Sequence, residues 1–160
     1  MATEGHWQIR AAVPGEAAAL TRIAKRSKRH WNYPEEYLAL WNDVLTVTPE
    51  FIQAGYTFVA EARQELLGFV GMKPLGTLAM EVHHFWVLPE HMGRHVGRAL
   101  WERAILVSQQ LGRNCIELDS DPNAEAFYER MGAQCVGTTP SVPAGRLLPR
   151  MRFRLDASAT

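Results

Sequence analysis

Cysteine is scarce in this chain, with Cys115 and Cys135 the only two among 160 residues. Two thiols cannot build the disulfide framework that staples a small secreted domain. They are expected as small buried residues of a reduced, cytoplasmic protein. An excess of either charge is also missing: Lys+Arg is 17, Asp+Glu is 17, and the formal net charge is zero. A general nucleic-acid binder carries a basic footprint, so the balance argues against nucleic acid as a partner. It leaves room only for a local basic pocket that takes a small anion. No apolar run approaches the roughly 18 residues of a membrane span, which argues against a membrane partner. The opening MATEGHWQIR lacks a basic stretch followed by an apolar core, so no signal peptide is expected. There is no repeat, low-complexity tract or linker. What the chain does have is 47% hydrophobic and 21% charged residues. That composition supports one ordered domain over 1–160 rather than a disordered chain.

Patterning gives the elements. Residues 7–12 alternate and read as a strand. Pro14 and Glu16 open a helix over 15–29 with Leu20, Ile23 and Ala24 on one face. A second helix fits 34–45, with Pro34 at its start. Thr48 before Pro49 is an N-cap for a short helix that Gly55 ends. Strands over 56–62 and 66–73 flank the polar pair Arg63–Gln64 and read as a hairpin. Residues 79–87 form a third strand. A helix over 94–112 carries Val96, Leu100, Ala104, Val107 and Leu111 at helical spacing. A strand over 114–120 follows, then a helix over 122–131 started by Asp121 and Pro122 and stopped by Gly132. Strands over 133–139 and 149–155 close the chain. The order β-α-α-α-β-β-β-α-β-α-β-β describes a mixed α/β sheet with packed helices.

The junction 85-FWVLPEHMGRHVGRALWERA-104 stands out. A strand runs through a short glycine-bearing loop into a long helix. A helix start carries about half a positive charge and several unpaired N–H groups, which can hold a pyrophosphate. Arg94 and Arg98 are expected in the first turn, where a cation conflicts with the helix dipole. A bound anion would relieve that conflict; two arginines pointing to water are the alternative. Nearby, His83, His84, His91 and His95 crowd together, and His91/His95 at i,i+4 could bind zinc on a helix. Pro89 and Gly93 suggest a loop there, and no cysteine or acid completes a set, so no metal site is expected. The basic run 25-KRSKRH-30 reads as a solvated helix end.

The run 87-VLPEHMGRHVGRAL-100 resembles the acyl-CoA signature of the GNAT N-acyltransferase superfamily, and 123-NAEAFYERMGA-133 resembles its second motif. The resemblance covers nearly the whole chain. It implies the GNAT fold: a mixed, mostly antiparallel central sheet of about six to seven strands with about four to five helices on its faces. It implies acetyl-CoA as co-substrate, with no metal. The pyrophosphate would lie at Met92, Gly93, Arg94, His95, Val96, Gly97 and Arg98. The pantetheine arm would run along Phe85, Trp86 and Val87, with Asn123, Phe127 and Tyr128 beside it. Met92 stands where Gln or Arg is usual, and His95 where Gly is usual. A helix beginning near Arg94 would place His95 in the first turn, without strain.

Amide formation from a thioester needs a base for the amine and an acid for the departing thiolate. The resemblance gives Tyr128 the acid's part. In the strand 81-EVHHFWV-87, Glu81, His83 and Phe85 share one face and Val82, His84 and Trp86 the other. Glu81 matches one base position used in the family and His83 another, possible in concert through a water. A salt-bridged carboxylate and a half-buried histidine are the plainer readings of the two. His84 has a packing role. Trp31, Tyr33 and Tyr37, with Trp41, would line a lid over the acceptor, or simply pack a helix face. The acceptor implied is a primary amine of a small molecule or peptide, and a homodimer is compatible with the fold. A non-catalytic CoA-binding regulatory or scaffold module is the reading from another class.

Overall fold

The computed structural model describes residues 6–155. The leader reading rests in part on residues 1–5, which lie outside them. Among the described residues, seven strands form one sheet: β1 (Gln8–Ala11), β2 (Thr57–Ala62), β3 (Glu65–Leu75), β4 (Ala79–Val87), β5 (Cys115–Asp119), β6 (Gln134–Ser141) and β7 (Arg146–Arg154). Their order is β1-β2-β3-β4-β5-β7-β6. The β4–β5 pair is parallel, whereas β1–β2, β2–β3, β5–β7 and β6–β7 are antiparallel. The helices are α1 (Ala17–Arg29), α2 (Glu35–Leu40), α3 (Asn42–Leu45), α4 (Pro49–Gln53), α5 (Val96–Gln110) and α6 (Glu125–Arg130). This is the mixed, mostly antiparallel α/β architecture the sequence implied. The helix expected over 34–45 is interrupted for one residue at Trp41 (φ −93°, ψ 5°), so α2 and α3 are two short pieces. Leu38, Trp41 and Leu45 all point inward across that break.

The chain divides into two compact units. The first comprises the residues up to Gly71 together with His84–Arg103. Its core gathers Leu20, Ile23 and Ala24 of α1, Leu38, Trp41 and Leu45 of the α2–α3 pair, and Val59 and Phe69 of the hairpin. Thr48 caps α4 through Oγ1, which accepts from the Phe51 N–H at 3.1 Å. The β2–β3 turn uses Arg63 (φ 51°) and Gln64 (φ 68°), the two left-handed positions of a tight hairpin turn. Gly68 of β3 sits hard against β4. A Cβ there would lie 2.5 Å from the Trp86 carbonyl oxygen and 3.0 Å from the Val87 Cα. Only glycine lets the two backbones approach at that point.

The second unit comprises Met72–His83 and the residues from Ala104 onward. Register puts Met80 opposite Ile116, Val82 opposite Leu118, and Leu118 opposite Met151. These residues are buried and form one continuous apolar face of β4, β5 and β7. Because strand side chains alternate, the opposite face must carry the intervening residues, and Glu81 stands opposite Glu117, which stands opposite Arg152.

Two expectations change. Cys115 is only half-buried and Cys135 is exposed, because Cys135 lies on β6, the outermost strand of the sheet. The buried face of α5 is Val96, Leu100, Trp101, Ala104 and Ser108, whereas Leu111 is 41% exposed beyond the helix end. The i,i+4 stripe thus turns away from Val107 and Leu111 in the last turn.

Candidate active site

In the first unit, β4 leads through a 3₁₀ turn (Pro89–His91) and the turn Met92–His95 into α5. The helix begins at Val96 rather than near Arg94. Gly93 has φ 76° and His95 has φ 66°, so His95 is left-handed and not in the first helical turn. That corrects the sequence expectation. The His95 carbonyl accepts from the Ala99 N–H at 3.1 Å, so His95 occupies the cap position. The amides of His95, Val96, Gly97 and Arg98 are therefore the ones the helix leaves without internal acceptors. Arg94 lies in the turn and Arg98 in the first helical turn, both exposed, and no acid stands in that turn. His91 and His95 do not share a helix, so the helical i,i+4 spacing considered for a metal does not exist.

A left-handed non-glycine residue costs about 1–2 kcal/mol. Glycine at such a position also makes the unfolded chain freer, by about 0.4–1 kcal/mol. The His95→Gly variant is therefore expected to gain between nothing and about 1.6 kcal/mol net. Chemical denaturation would read this as a small rise in midpoint, and a clear loss of stability would contradict the strain argument.

The same unit straps α1 to the end of β4. Ser27 Oγ donates to the Val87 carbonyl at 3.0 Å, and Arg26 bonds both Glu90 oxygens at 3.0 and 3.1 Å. Lys28 is buried, with Nζ 4.5 Å from the Trp41 ring centroid, 4.9 Å from Tyr33 and 5.9 Å from Trp86. Cations over aromatic faces are attracted by the ring quadrupole. Part of the aromatic group expected to line an acceptor lid thus already holds a cation of the chain's own. Tyr33 and Tyr37 pack edge-on against Trp41, and both sit against the core. Trp31 is exposed and stacks edge-on with His30. The run 25-KRSKRH-30 is therefore more engaged than a solvated helix end. The signal was present: Leu20, Ile23, Ala24, Ser27 and Lys28 follow the i, i+3, i+4, i+7, i+8 pattern of one buried face.

In the second unit, Glu81 and His83 are brought together. His83 Nε2 lies 2.9 Å from Glu81 Oε1. The other Glu81 oxygen pairs with Arg150 Nη2 at 2.7 Å. Arg150 also reaches Glu117 at 3.0 Å and Asp119 at 3.2 Å, and Arg152 holds the second Glu117 oxygen at 3.0 Å. Burial opposes the Glu117 charge, but Arg152 and Arg150 outweigh it and hold the carboxyl below the usual range. Burial also opposes the Arg150 charge, and the bonds to Glu81, Glu117 and Asp119 raise its pKa regardless. Arg150 was not singled out in the sequence, because β7 joins β4 in this network only through folding. The β4–β5 ladder covers Ala79–Val82 and ends as His83 begins. The His83 side chain is 41% exposed, open enough to meet a substrate.

Tyr128 lies on α6 in the same unit and is buried. Burial, and then the Asp121 carboxylate, push its pKa well above the ordinary tyrosine value, so the hydroxyl keeps its proton. Phe127 packs edge-on beside it at 5.2 Å. Asp121 caps the helical stretch by accepting from the Asn123 N–H at 2.8 Å, and the Asn123 side-chain amide donates to the same oxygen at 2.9 Å. Asn123 is thus part of the cap in this structure.

The sequence model of the acetyltransferase (GNAT) family matches residues 17–133, a span that contains both the glycine turn and the Asn123–Tyr128 segment. The chain belongs to this family. Its fold recurs in solved GNAT structures. A GCN5-related N-acetyltransferase from Rhodopseudomonas palustris aligns with TM-score 0.79 at 20% identity, covering 97% of this chain and 99% of that one. PaiA N-acetyltransferase from Thermoplasma acidophilum, solved in complex with coenzyme A, aligns with TM-score 0.75 at 19% identity, covering 92% and 98%. The ribosomal-protein-S18-alanine N-acetyltransferase of Escherichia coli aligns with TM-score 0.69 at 15% identity, covering 94% of each chain. This GNAT chain also has no helix, among its described residues, long and apolar enough to cross a membrane.

Proposed function

We propose that this GNAT protein transfers an acetyl group from acetyl-CoA to a primary amine of a small molecule or peptide by direct attack. The observation that carries the reading is the β4–α5 junction, where left-handed Gly93 and His95 turn the chain and the first amides of α5 have no acceptor within the helix. That arrangement suits a pyrophosphate: the helix start offers unpaired backbone donors, the exposed Arg94 and Arg98 flank it, and no acid stands in the first helical turn. Met92, Gly93, Arg94, His95, Val96, Gly97 and Arg98 would hold the phosphates. Phe85, Trp86 and Val87 would lie along the pantetheine arm, with Asn123 and Phe127 as further contacts. Acetyl-CoA, when bound, supplies an acetyl thioester activated toward amines.

The protein's own groups would move the protons. Glu81 is committed to Arg150 and His83 by one oxygen each, which makes it a poor base for an amine. His83 is the better one: exposed, and oriented by the bond to Glu81. Tyr128 retains its proton at neutral pH and would offer it to the developing thiolate. No metal enters this scheme. Trp31 and the outer edges of Tyr33 and Tyr37 would border the acceptor. The basic run of α1 is largely engaged within the chain through Arg26, Lys28 and Arg29, which supports a reading without nucleic acid.

Isothermal titration with acetyl-CoA, desulfo-CoA and 3′-dephospho-CoA tests the cofactor, and thiol release over an amine panel tests turnover. Micromolar binding, about −8 kcal/mol, retained by desulfo-CoA, is expected together with amine-dependent thiol release. Binding without turnover on any amine would favour a CoA-binding regulatory or scaffold module. Absence of binding at millimolar ligand would defeat the phosphate-site reading.

A further inference from the structure

Glu81 and Glu117 stand directly opposite each other on adjacent parallel strands. Neighbouring strands lie about 4.8 Å apart, and like charges at that register repel. A sheet has no structural need for such a pair. Here it is held by one guanidinium: Arg150 leans diagonally from β7 and contacts Glu81 at 2.7 Å, Glu117 at 3.0 Å and Asp119 at 3.2 Å. Arg150 stands opposite Asp119 by register and Arg152 opposite Glu117. Asp119 further accepts from Thr139 Oγ1 of β6 at 2.6 Å. The carboxylates of β5 would thus be served without Glu81. The contact with Glu81 is the extra one, and Glu81 is the residue that grips His83.

We infer that Arg150 is a positioning residue for His83, acting through Glu81. The inference rests on the acetyltransferase reading only for the use to which His83 is put. The guanidinium fixes Glu81 Oε2, which leaves Oε1 aimed at His83 Nε2. A carboxylate accepts and cannot donate, so a neutral imidazole in this bond carries its proton on Nε2. The hydrogen bond made by one ring nitrogen sets the state of the other, so Nδ1 carries the lone pair that would take a proton from the amine. In that transfer the amine nitrogen forms its bond to the acyl carbon, its proton passes to Nδ1, and the carbon–sulfur electron pair leaves with the thiolate. Arg150 neither gains nor loses a proton. Its work is geometric, and displacement of about 1 Å at a reacting group can cost on the order of a hundredfold in rate.

The test compares Arg150→Met with Arg152→Met. Both remove one positive charge from the same strand, but Arg152 pairs with Glu117 and does not grip Glu81. Ring nitrogens are read by long-range ¹⁵N–¹H NMR on ¹⁵N-histidine protein at alkaline pH, with His83 assigned from a His83→Asn sample. The wild type and Arg152→Met should show a single Nε2–H tautomer for His83, and Arg150→Met a mixture. In parallel, Arg150→Met should lower kcat for the amine by about ten- to a hundredfold with KM for acetyl-CoA little changed, and Arg150→Lys should recover part of the loss. If losing Arg150 leaves the two glutamates repelling too strongly for folding, the Arg150→Met/Glu117→Gln double variant removes that repulsion and is read the same way. An unchanged His83 tautomer in the Arg150 variants would overturn the inference even if the enzyme turns over. A tautomer shift in a protein that acetylates no amine would uphold the Arg150–Glu81–His83 relay and defeat the acetyltransferase reading alone.

Discussion

Changing Tyr128 to Phe is expected to lower kcat by at least about a hundredfold, the scale of a lost general acid, while acetyl-CoA binding persists. The substitution isolates the hydroxyl. Phenylalanine keeps the ring that α6 buries at 5% exposure, and the edge-on contact with Phe127 survives. The stability change should stay near 1 kcal/mol, the worth of an ordinary hydrogen bond. The chemical effect should be far larger, because burial and the Asp121 charge together keep this hydroxyl protonated. An acid that strongly retains its proton is a weak donor in the ground state. It contributes most by hydrogen-bonding negative charge as it develops on sulfur, so the loss falls on kcat rather than on binding. Acetyl-CoA titration alongside thiol-release kinetics separates the two. Undiminished turnover in Tyr128→Phe would reduce Tyr128 to a core aromatic and move the acid's role elsewhere.

The elements were legible where local chemistry decides them. The bounds of β4 were read directly from 79-AMEVHHFWV-87, because its length and β-branched and aromatic content leave few alternatives. Thr48 and Asp121 cap as expected, since an N-cap is a matter of one side chain and an amide two or three residues on. The Arg63–Gln64 turn was placed between its strands for the same reason. His95 was misjudged, because a left-handed cap is fixed by where the helix starts and that boundary carries no sharp local signal. Its one trace was its place in the position where the family usually has glycine. Arg150 escaped entirely. A residue from the last strand reaches Glu81 only once β5 lies between them, and no window along the chain contains that meeting. Lys28 escaped for a different reason: a lysine is priced as solvated unless its position on the helix face is weighed against its charge. The face pattern of α1 outweighed it, with three aromatic rings offsetting the loss of water.

His83→Ala should lower kcat/KM for the amine by about a hundred- to a thousandfold, the range of a removed general base. Glu81→Gln is the sharper companion. Glutamine keeps the side-chain length but presents both an oxygen and an NH₂ group. Its NH₂ can donate to His83 Nε2, which selects the opposite tautomer and places the ring proton on Nδ1. Arg150 meanwhile loses one of its three carboxylates but keeps Glu117 and Asp119, so the sheet should hold. The expected pattern is a loss in Glu81→Gln approaching that of His83→Ala, and little further loss in the double variant. Residues that act as one unit are non-additive in this way. If Glu81 were instead the base, working through a water, Glu81→Gln would be the severe variant and His83→Ala a mild one, and the losses would combine. Steady-state kinetics on the four proteins therefore decide which group takes the proton. The salt-bridge geometry favours His83, because one oxygen of Glu81 is held by a guanidinium at 2.7 Å and the other by the imidazole at 2.9 Å.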